Sequence, residues 1–387
     1  MAETPVRITH VIAGLGVGGA EMSLLKLLST LDRGQFPAEV ISLTGDAPLG
    51  ERIRLLGIPV RALDLAPGRP DPRLVLRLAA HLRRSRPDLV QTWMYHADLI
   101  GGLAARLAGL FHPPPVVWNV RHTFTNMDAF KPGTRLVVRL DARLSRTLPA
   151  RIVCNAEAGR RSHAAIGYAA DKMVVIPNGF DIDAFRPDPQ ARRDVRRELG
   201  IGEETPLVGL CARFHPDKDH HTFFRAAALL HARMPEARFL LWGKGVDEGN
   251  PAISAWLDEA GLRGVAHLLG PRDDSPRLTA ALDVAALSSA SEAFPTVVGE
   301  AMACEIPCAV TDVGDAADIV GETGRVVPPG DPPALAEAWQ SLLALPAAER
   351  AALGQQARRR VLARFDIKQT AAAYARLYRD IIAGRLE

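Results

Sequence analysis

The sequence has few aromatic residues, few cysteines and no long apolar run. Phe, Trp and Tyr make up 5% of the 387 residues. No stretch of about 18 consecutive apolar residues is present, which argues against a membrane-spanning helix. The first residues also lack the basic and apolar regions of a secretory signal. The four cysteines (Cys154, Cys211, Cys304 and Cys308) show no metal-ligand spacing. We therefore interpret them as reduced packing residues of a cytoplasmic protein.

Neither sign of charge dominates the chain as a whole, but its two halves differ. The net charge is +3, from 47 Lys and Arg against 44 Asp and Glu. Residues 1–177 contain 23 basic and 14 acidic residues, a balance of +9, whereas residues 178–387 have a balance of −6. The basic excess of the first half either serves an anionic partner, such as a membrane surface or a phosphorylated acceptor, or is simply solvated.

Short apolar runs alternate with longer helical patterns along the whole chain. Predicted strands include residues 7–14, 38–45, 88–94, 115–122, 151–156 and 172–179. The alternation then restarts at 206–213 and continues through 237–245, 265–271, 282–289 and 306–312. Such alternation predicts an α/β protein with two doubly wound parallel-sheet domains. We expect the segment from Pro177 to about Thr205 to link them.

A glycine loop follows the first predicted strand and opens the first helix. Its glycines include Gly14, Gly16, Gly18 and Gly19, in the G-x-G-x-x-G pattern of dinucleotide-binding folds. Glycines let a ligand approach the backbone closely, and the start of a helix favours a phosphate. An NAD site would need an acid at the end of the second strand, which instead ends in Ser42-Leu43-Thr44. A loop that approaches a diphosphate is the alternative.

The segment 291–300 carries two carboxylates around the start of a helix. Glu292 lies in the loop after a predicted strand, and Glu300 lies in the first turns of the helix that follows. We expect Thr296 to be the N-cap, leaving the amides of Val297 and Val298 for a phosphate. The carboxylates could then accept hydrogen bonds from sugar or ribose hydroxyls. A surface loop with a helix-stabilising glutamate is the simpler alternative.

Two further loops of the second half fit an anionic ligand. Arg213 and Lys218 follow the first strand of this half, and cations at this place can neutralise a leaving diphosphate without a metal. Gly243 and Gly245 follow the next strand and allow close backbone approach. Parallel sheets bind their ligands at the carboxyl ends of their strands.

Together these motifs resemble glycosyltransferase family 4, whose members have the GT-B fold. The matching pieces follow the family's order: Gly18-Gly19-Ala20-Glu21, Pro177-Asn178-Gly179-Phe180-Asp181, Arg213 to Lys218, Gly243-x-Gly245, Glu292-x7-Glu300 and the trailing VGD and GRVVPPGDP segments. The resemblance implies two Rossmann-like domains that face each other across a cleft. Their expected bounds are 1–177 for the acceptor domain and 178–366 for the donor domain, with a last helix at 367–387 packing back on the first domain.

The resemblance also implies roles for individual residues. Arg213 and Lys218 would hold the donor's diphosphate, Glu292 the hydroxyls of the donor sugar, and Glu300 the ribose. Further implied contacts come from His122 beside the transferred sugar, from Gly16, Gly18, Gly19 and Gly243, and from the segment Phe294, Pro295, Thr296 and Val297. One departure is Gln91-Thr92-Trp93, where many relatives carry His-x-His.

The implied reaction is transfer of a hexosyl-type sugar from a UDP-sugar or GDP-sugar, with retention of configuration, to a glycan or lipid-linked acceptor. No cofactor and no metal is expected, and Asp181-Ile182-Asp183 is interpreted as structural. A glycosidase-like use of Glu292 and Glu300 is a rival for the carboxylates. For the whole chain, the alternatives are a nucleotide-sugar epimerase and an NAD-dependent oxidoreductase.

A basic amphipathic pattern in residues 135–148 bears on membrane contact. Leu136, Leu140, Leu144 and Leu148 form one helical stripe, with four arginines beside it. Such a helix can lie on an anionic bilayer, although an ordinary helix with its leucines in the core is the interpretation that we prefer. We expect a cytoplasmic protein that binds no nucleic acid, with peripheral contact to the inner membrane as the second possibility.

Overall fold

The computed structural model of the chain describes residues 4–66, 71–109, 111–124, 127 and 130–385. These residues form two compact units. Unit 1 comprises Met1–Gly179 together with Ile367–Glu387, and unit 2 comprises Phe180–Asp366. The final helix therefore belongs to the same unit as the first 179 residues.

Unit 1 is built on a parallel sheet with helices on both faces. Its strands are β1 (Ile8–Ile12), β2 (Ala38–Ser42), β3 (Val60–Ala62), β4 (Leu89–Trp93), β5 (Val116–Val120), β6 (Arg151–Cys154) and β7 (Met173–Val175). Its helices are α1 (Gly19–Thr30), α2 (Leu49–Leu55), α3 (Arg73–Ser85), α4 (Tyr95–Ala108), α5 (Pro132–Leu144), α6 (Glu157–Ala165) and α15 (Ile367–Ile382). The strand order is β3-β2-β1-β4-β5-β6-β7.

The central strands of unit 1 are apolar on both faces because each face is covered by helices. All five residues of β1, β4 and β5 are buried, as expected for a parallel sheet. Ile8 and Ile12 pack with α1, α2 and α15, whereas Val11 packs with α3, α4 and α5. Alternate residues of one strand thus supply two cores.

Unit 2 repeats this plan with a smaller sheet. Its strands are β8 (Leu207–Cys211), β9 (Arg238–Trp242), β10 (Ala266–Leu268), β11 (Val284–Leu287), β12 (Cys308–Thr311) and β13 (Arg325–Val327), in the order β10-β9-β8-β11-β12-β13. Its helices are α7 (Pro189–Glu198), α8 (His220–Arg233), α9 (Pro251–Glu259), α10 (Ser275–Ala280), α11 (Thr296–Ala303), α12 (Ala316–Val320), α13 (Pro332–Leu343) and α14 (Ala347–Arg364). Both sheets are parallel, and the predicted fold class is confirmed.

Side-chain caps define where several helices of unit 2 begin. Asp188, Asp219 and Asp331 each accept a backbone amide from the first turn of α7, α8 and α13, and Asn250 does so for α9. Such caps satisfy amides that have no partner inside the helix. The short polar residues before these apolar segments therefore set the helix starts.

The predicted linker is wrong over most of its length. Residues 189–198 form α7, and Arg196 of this helix is buried against Asp283, with 2.7 Å between its Nη2 and the carboxylate. The same guanidinium donates to the carbonyls of Gly202, Glu203 and Thr205. A polar, proline-containing composition suggested a loop, but a buried arginine and its carbonyl partners fold this segment into unit 2.

The interpretation that places the leucines of residues 135–148 in the core is wrong for Leu136 and Leu140, whereas Leu144 and Leu148 do pack against the core. Leu136 and Leu140 are exposed, at 59% and 39%, whereas Val138 and Ala142 are buried. The helix ends at Leu144 rather than at residue 148. The buried residues of α5 are instead Val138, Asp141 and Ala142, and the buried Ser145 follows the helix.

Candidate active site

The candidate site of unit 2 lies where the strand order reverses. Strands β8 and β11 are neighbours in the sheet, but one connects to β9 and the other to β12 on opposite sides. The loops that leave their carboxyl ends must therefore diverge, which opens a crevice suited to a ligand. Arg213 lies in the loop after β8, and Glu292 lies in the loop after β11.

Lys218 and Glu292 meet directly at this crevice. The Lys218 ammonium donates to the Glu292 carboxylate, and the two side chains are only 23% and 12% exposed. Lys218 ends a single 3-10 turn, Pro216–Lys218, just before α8. The structure thus brings together two predicted site residues that are 74 positions apart in the sequence.

Two serines that were not predicted hold this pair in place. The Ser289 hydroxyl donates to the same Glu292 oxygen at 2.7 Å, and the Ser288 hydroxyl donates to the Lys218 carbonyl at 3.0 Å. The Thr311 hydroxyl in turn donates to the Ser289 carbonyl at 2.7 Å. The sequence signal that could have identified these two serines is their place directly after a buried strand.

Helix α11 begins beside Glu292 but lacks the predicted cap. Thr296 is the first residue of the helix, Pro295 holds the N-cap position, and no side chain caps it. Thr296 is therefore not the N-cap, because the proline before it already has the extended backbone of that position. Val297 follows it in the first turn, so the start of α11 presents its amides at the crevice.

Aromatic packing fixes the position of α11. Phe294, just before the helix, is buried and stacks on Phe180, with 5.8 Å between ring centroids. A Cβ added at Gly299 would lie 2.1 Å from two Phe180 ring carbons. Only glycine at this position allows the ring of Phe180 to lie against the helix.

Glu300 lies in the second turn of α11 and is half-buried. Its carboxylate is close enough to the Cys211 thiol to add to the effect of burial, which raises the pKa of that thiol to about 12. Cys211 ends β8. Glu300 therefore lies near Cys211 at the end of β8.

The loops after β8 and β9 approach each other closely at a glycine. Gly243 has φ +148°, and a Cβ there would lie 2.0 Å from the Ala212 carbonyl oxygen. The Phe214 amide donates to the Lys244 carbonyl at 2.8 Å. Gly243 and the segment of Arg213 are therefore adjacent, whereas the Arg213 side chain is exposed and forms no hydrogen bond or ion pair with the described residues.

The predicted residues of unit 1 also follow the carboxyl ends of its strands. The glycine loop follows β1, where a Cβ added at Gly16 or Gly19 would meet open space, and Gly18 has the extended N-cap conformation of α1. His122 follows β5 and is half-buried, with its ring edge-on to Phe130 at 5.1 Å between centroids. The strand order of unit 1 reverses between β1 and β4.

A polar network in unit 1 was not predicted. Arg121 donates to Asn119 at 3.2 Å and to Asn178, and its guanidinium lies 5.4 Å from the Trp93 ring centroid. Burial lowers the pKa of Arg121. Burial also raises the pKa of Glu21, in the first turn of α1, and the positive charge of Arg121 opposes this rise. The network places a cation near the glycine loop.

Neither a cluster of metal ligands nor a membrane-spanning helix is present in the described part of the chain. Within it, no three His, Cys, Asp or Glu side chains form a group that could hold a metal ion. The Asp181 carboxylate accepts the amides of Asp183 and Ala184, at 3.2 and 2.9 Å, so it shapes a turn. None of the described helices is both long and apolar enough to cross a membrane.

Comparison with known proteins places both units in glycosyltransferase families. The family described as Glycosyltransferase Family 4 matches residues 17–184, and that described as Glycosyl transferases group 1 matches residues 205–344. D-inositol 3-phosphate glycosyltransferase 2 of Catenulispora acidiphila is 31% identical over 325 residues, covering 79% of this chain and 73% of the relative. An Escherichia coli UDP-Gal:alpha-D-GlcNAc-diphosphoundecaprenol alpha-1,3-galactosyltransferase is 24% identical and covers 80% of both chains.

Solved structures show the same architecture. HepE of Anabaena, solved in complex with UDP, has a TM-score of 0.82 and 25% identity, over 96% of this chain and 99% of HepE. Other structures of HepE contain UDP and glucose, or UDP-glucose. WaaG, described as a glycosyltransferase involved in lipopolysaccharide biosynthesis, is 16% identical with a TM-score of 0.74 over 97% of this chain, a likeness of fold.

Proposed function

Because this chain belongs to glycosyltransferase family 4, and is a glycosyltransferase with the GT-B fold, we propose that it transfers a hexosyl residue from a UDP-sugar or GDP-sugar to a glycan or a lipid-linked acceptor. The transfer retains the configuration at the anomeric carbon and contributes to cell-surface polysaccharide or glycoconjugate synthesis. The observation that carries this proposal is the Lys218–Glu292 pair beside the uncapped start of α11.

The chemistry of this pair suits a donor with a diphosphate leaving group. Negative charge grows on the diphosphate as the bond to the anomeric carbon breaks, so cations already in position lower the barrier. Lys218 supplies one such charge and Arg213, which is exposed in the adjacent loop, supplies a second. The first-turn amides of α11, at Thr296 and Val297, contribute the positive end of a helix dipole.

The two carboxylates bind hydroxyl groups rather than phosphate in this proposal. Glu292 accepts hydrogen bonds from the donor sugar, and Ser289 keeps one of its oxygens oriented when Lys218 turns to the diphosphate. Glu300 accepts from the ribose. Phe294, Pro295 and Gly243 shape the backbone around these groups without supplying charge.

Unit 1 holds the acceptor in this proposal. For this role we assign to unit 1 the side chain of His122 and the glycine loop before α1, where a Cβ added at Gly16 or Gly19 would meet open space. The leaving phosphate oxygen takes the proton of the acceptor hydroxyl on the same face of the sugar. This route gives retention without a carboxylate nucleophile and without a metal or other cofactor.

The relatives support a uridine donor and a lipid-linked acceptor. HepE, at 25% identity, has been solved with UDP and with UDP-glucose. The Escherichia coli relative is named for UDP-Gal and for a diphosphoundecaprenol acceptor. We therefore place UDP ahead of GDP, and we place the protein in the cytoplasm with peripheral contact between unit 1 and an anionic membrane.

Titration calorimetry of the full chain with UDP, GDP, ADP and NAD tests the donor class. We expect binding of a nucleoside diphosphate, UDP first, that persists in excess EDTA. The proton NMR spectrum of the product, made with the matching sugar nucleotide, then reports the anomeric configuration. Binding of NAD alone would overturn the proposal in favour of an oxidoreductase, and conversion of the donor sugar without acceptor would identify an epimerase.

A further inference from the structure

A groove on the surface of unit 2 is separate from the donor crevice. It lies between α8 and α9, has a volume of about 290 Å³ and is lined by neither Lys218 nor Glu292. Its apolar lining includes Ala228, Leu229 and Ala260, and Leu229 is 36% exposed. Pockets for small ligands begin at about 300 Å³. The groove therefore has room for a ligand of the size of a mono- or disaccharide.

Trp256 of α9 lines this groove and differs from the other tryptophans of the chain. All five tryptophans are described, and Trp256 is half-exposed whereas each of the other four is at most 2% exposed. The Trp256 ring lies 5.3 Å from that of His221 and 6.0 Å from that of Phe214, between centroids. Phe214 is itself 37% exposed. We call these three rings the aromatic platform.

The aromatic platform begins beside the donor crevice. Phe214 directly follows Arg213 in the loop after β8, and His221 lies in the first turn of α8, three positions after Lys218. The Phe214 amide donates to the Lys244 carbonyl at 2.8 Å, which fixes this end of the platform. From there the groove extends away from the crevice along α8 and α9. A ligand in the groove is therefore held close to the donor site without occupying it.

Two side chains of opposite charge border the groove. Arg225 of α8 and Glu259 of α9 both line it, and both are exposed. Neither forms a hydrogen bond or an ion pair with the described residues. Their charges cancel, so this pair does not favour a phosphate or another anion. A guanidinium donates and a carboxylate accepts, and a hydroxyl group can do both. The pair therefore suits a neutral ligand with several hydroxyls.

We propose that this groove binds a hexose residue of a neutral glycan, with one face of the sugar ring on the aromatic platform. The C–H groups of that face carry partial positive charge, which the negative face of an aromatic ring attracts. Arg225 and Glu259 bind hydroxyls at the edge of the sugar ring. A purely apolar ligand would leave both charged groups without a partner.

This inference rests on the proposed function, since transfer to a glycan consumes one glycan and makes a longer one. It assigns to unit 2 a glycan site in addition to the donor site. A sugar residue held there keeps the glycan on the enzyme between transfers, so it raises the local concentration of the acceptor.

Ligand-observed NMR titration of the full chain tests the inference. The probes are neutral disaccharides of glucose, of galactose and of mannose, with UDP as the probe of the donor crevice. We expect saturable binding of at least one disaccharide. Trp256→Ala should weaken it about 30-fold, as for loss of an aromatic anchor, and Trp256→Phe should weaken it less because a ring remains. Arg225→Gln and Glu259→Gln should each weaken it about tenfold.

Matched controls separate the groove from general surface effects. Phe111→Ala removes an aromatic ring that is 91% exposed on unit 1, and Glu349→Gln neutralises an exposed glutamate of α14. Both should leave the affinity for the disaccharide unchanged. All of the variants should bind UDP as the wild type does, because none of them changes the donor crevice.

Three outcomes decide against the inference or against its premise. A wild-type chain that binds UDP but none of the disaccharides would overturn it, and so would equal disaccharide affinities for Trp256→Ala and the wild type. A wild-type dimer in sedimentation that Trp256→Ala dissociates, without sugar binding, would assign the groove to a second copy of the chain. Disaccharide binding that depends on Trp256, in a chain that binds no nucleoside diphosphate, would refute the proposed function and leave the glycan site.

Discussion

Replacing Lys218 by methionine separates a role in catalysis from a role in folding. Methionine keeps an unbranched apolar stem, one heavy atom shorter than lysine, and has no charge. In the structure the Lys218 ammonium contacts the Glu292 carboxylate, and both side chains are less than a quarter exposed. Glu292 would keep the hydroxyl of Ser289, at 2.7 Å, as a hydrogen-bond donor. The free energy of unfolding should therefore fall by only about 1 kcal/mol.

The effect on the reaction should be much larger. A preorganised donor that stabilises growing negative charge is worth about 2.7–4 kcal/mol, or a factor of about 10² to 10³ in rate. If Lys218 faces the leaving diphosphate, kcat should fall by this factor and the affinity for UDP should also fall. The loss of transition-state stabilisation should thus exceed the loss in the free energy of unfolding by about 2 kcal/mol or more. This excess identifies a role in the transition state.

The assay is release of UDP in the presence of acceptor, with UDP affinity measured by calorimetry and stability by urea unfolding. Lys131→Met, at an exposed lysine of unit 1, makes the same chemical change away from the donor site and should leave UDP affinity unchanged. A Lys218→Met variant whose rate and UDP affinity lie within threefold of wild type would refute the reasoning. So would a loss of activity that matches the loss of folded protein.

Two further predictions concern packing and pH. Gly299→Ala puts a Cβ 2.1 Å from the Phe180 ring and should lower the free energy of unfolding in urea by about 1–3 kcal/mol. Gly133→Ala, where the added Cβ would meet open space, should be nearly neutral, and equal costs would contradict the packing argument. Burial, and then the neighbouring Asp98, raise the pKa of Asp141 to about 10. The native state thus keeps a proton that the unfolded chain releases above about pH 4, so wild-type stability falls as pH rises towards 10. Asp141→Asn should gain on wild type over that range, by up to about 1.4 kcal/mol per pH unit, and a gain that does not change between pH 5 and 8 would contradict this.

Much of the fold follows from local sequence patterns. Apolar strand segments such as 206–213 and 237–245 were predictable because a parallel strand covered on both faces must be apolar throughout. The three-residue strand β3 was missed because its sequence, Val-Arg-Ala, is too short to show a period. The segment 189–205 was misread because its burial depends on Asp283, which lies far away in the sequence.

The candidate site was predictable as a set of residues but not as a geometry. Lys218 and Glu292 could be named from their places after strands, yet their contact depends on β8 and β11 being neighbours. The stacking of Phe294 on Phe180 depends on a contact over more than a hundred residues. Neither contact can be predicted from periodicity or spacing, because the number of residues between two motifs can vary without changing either motif.

Glycine is required for different reasons in the two units, and this supports different roles for the loops that contain it. In unit 2, Gly243 and Gly314 let one loop touch another, since a Cβ at either position would lie within 2.5 Å of a backbone oxygen. These loops are thereby fixed before a ligand arrives, and a preorganised site is what stabilisation of a charged leaving group requires. In unit 1, Gly16 and Gly19 have open space around them. Packing does not explain glycine there, whereas the proposed function does, since it requires a ligand to approach the backbone closely. Under the proposed function, rigid loops that bind a charged leaving group and an open glycine loop before α1 suit transfer between two separately held substrates.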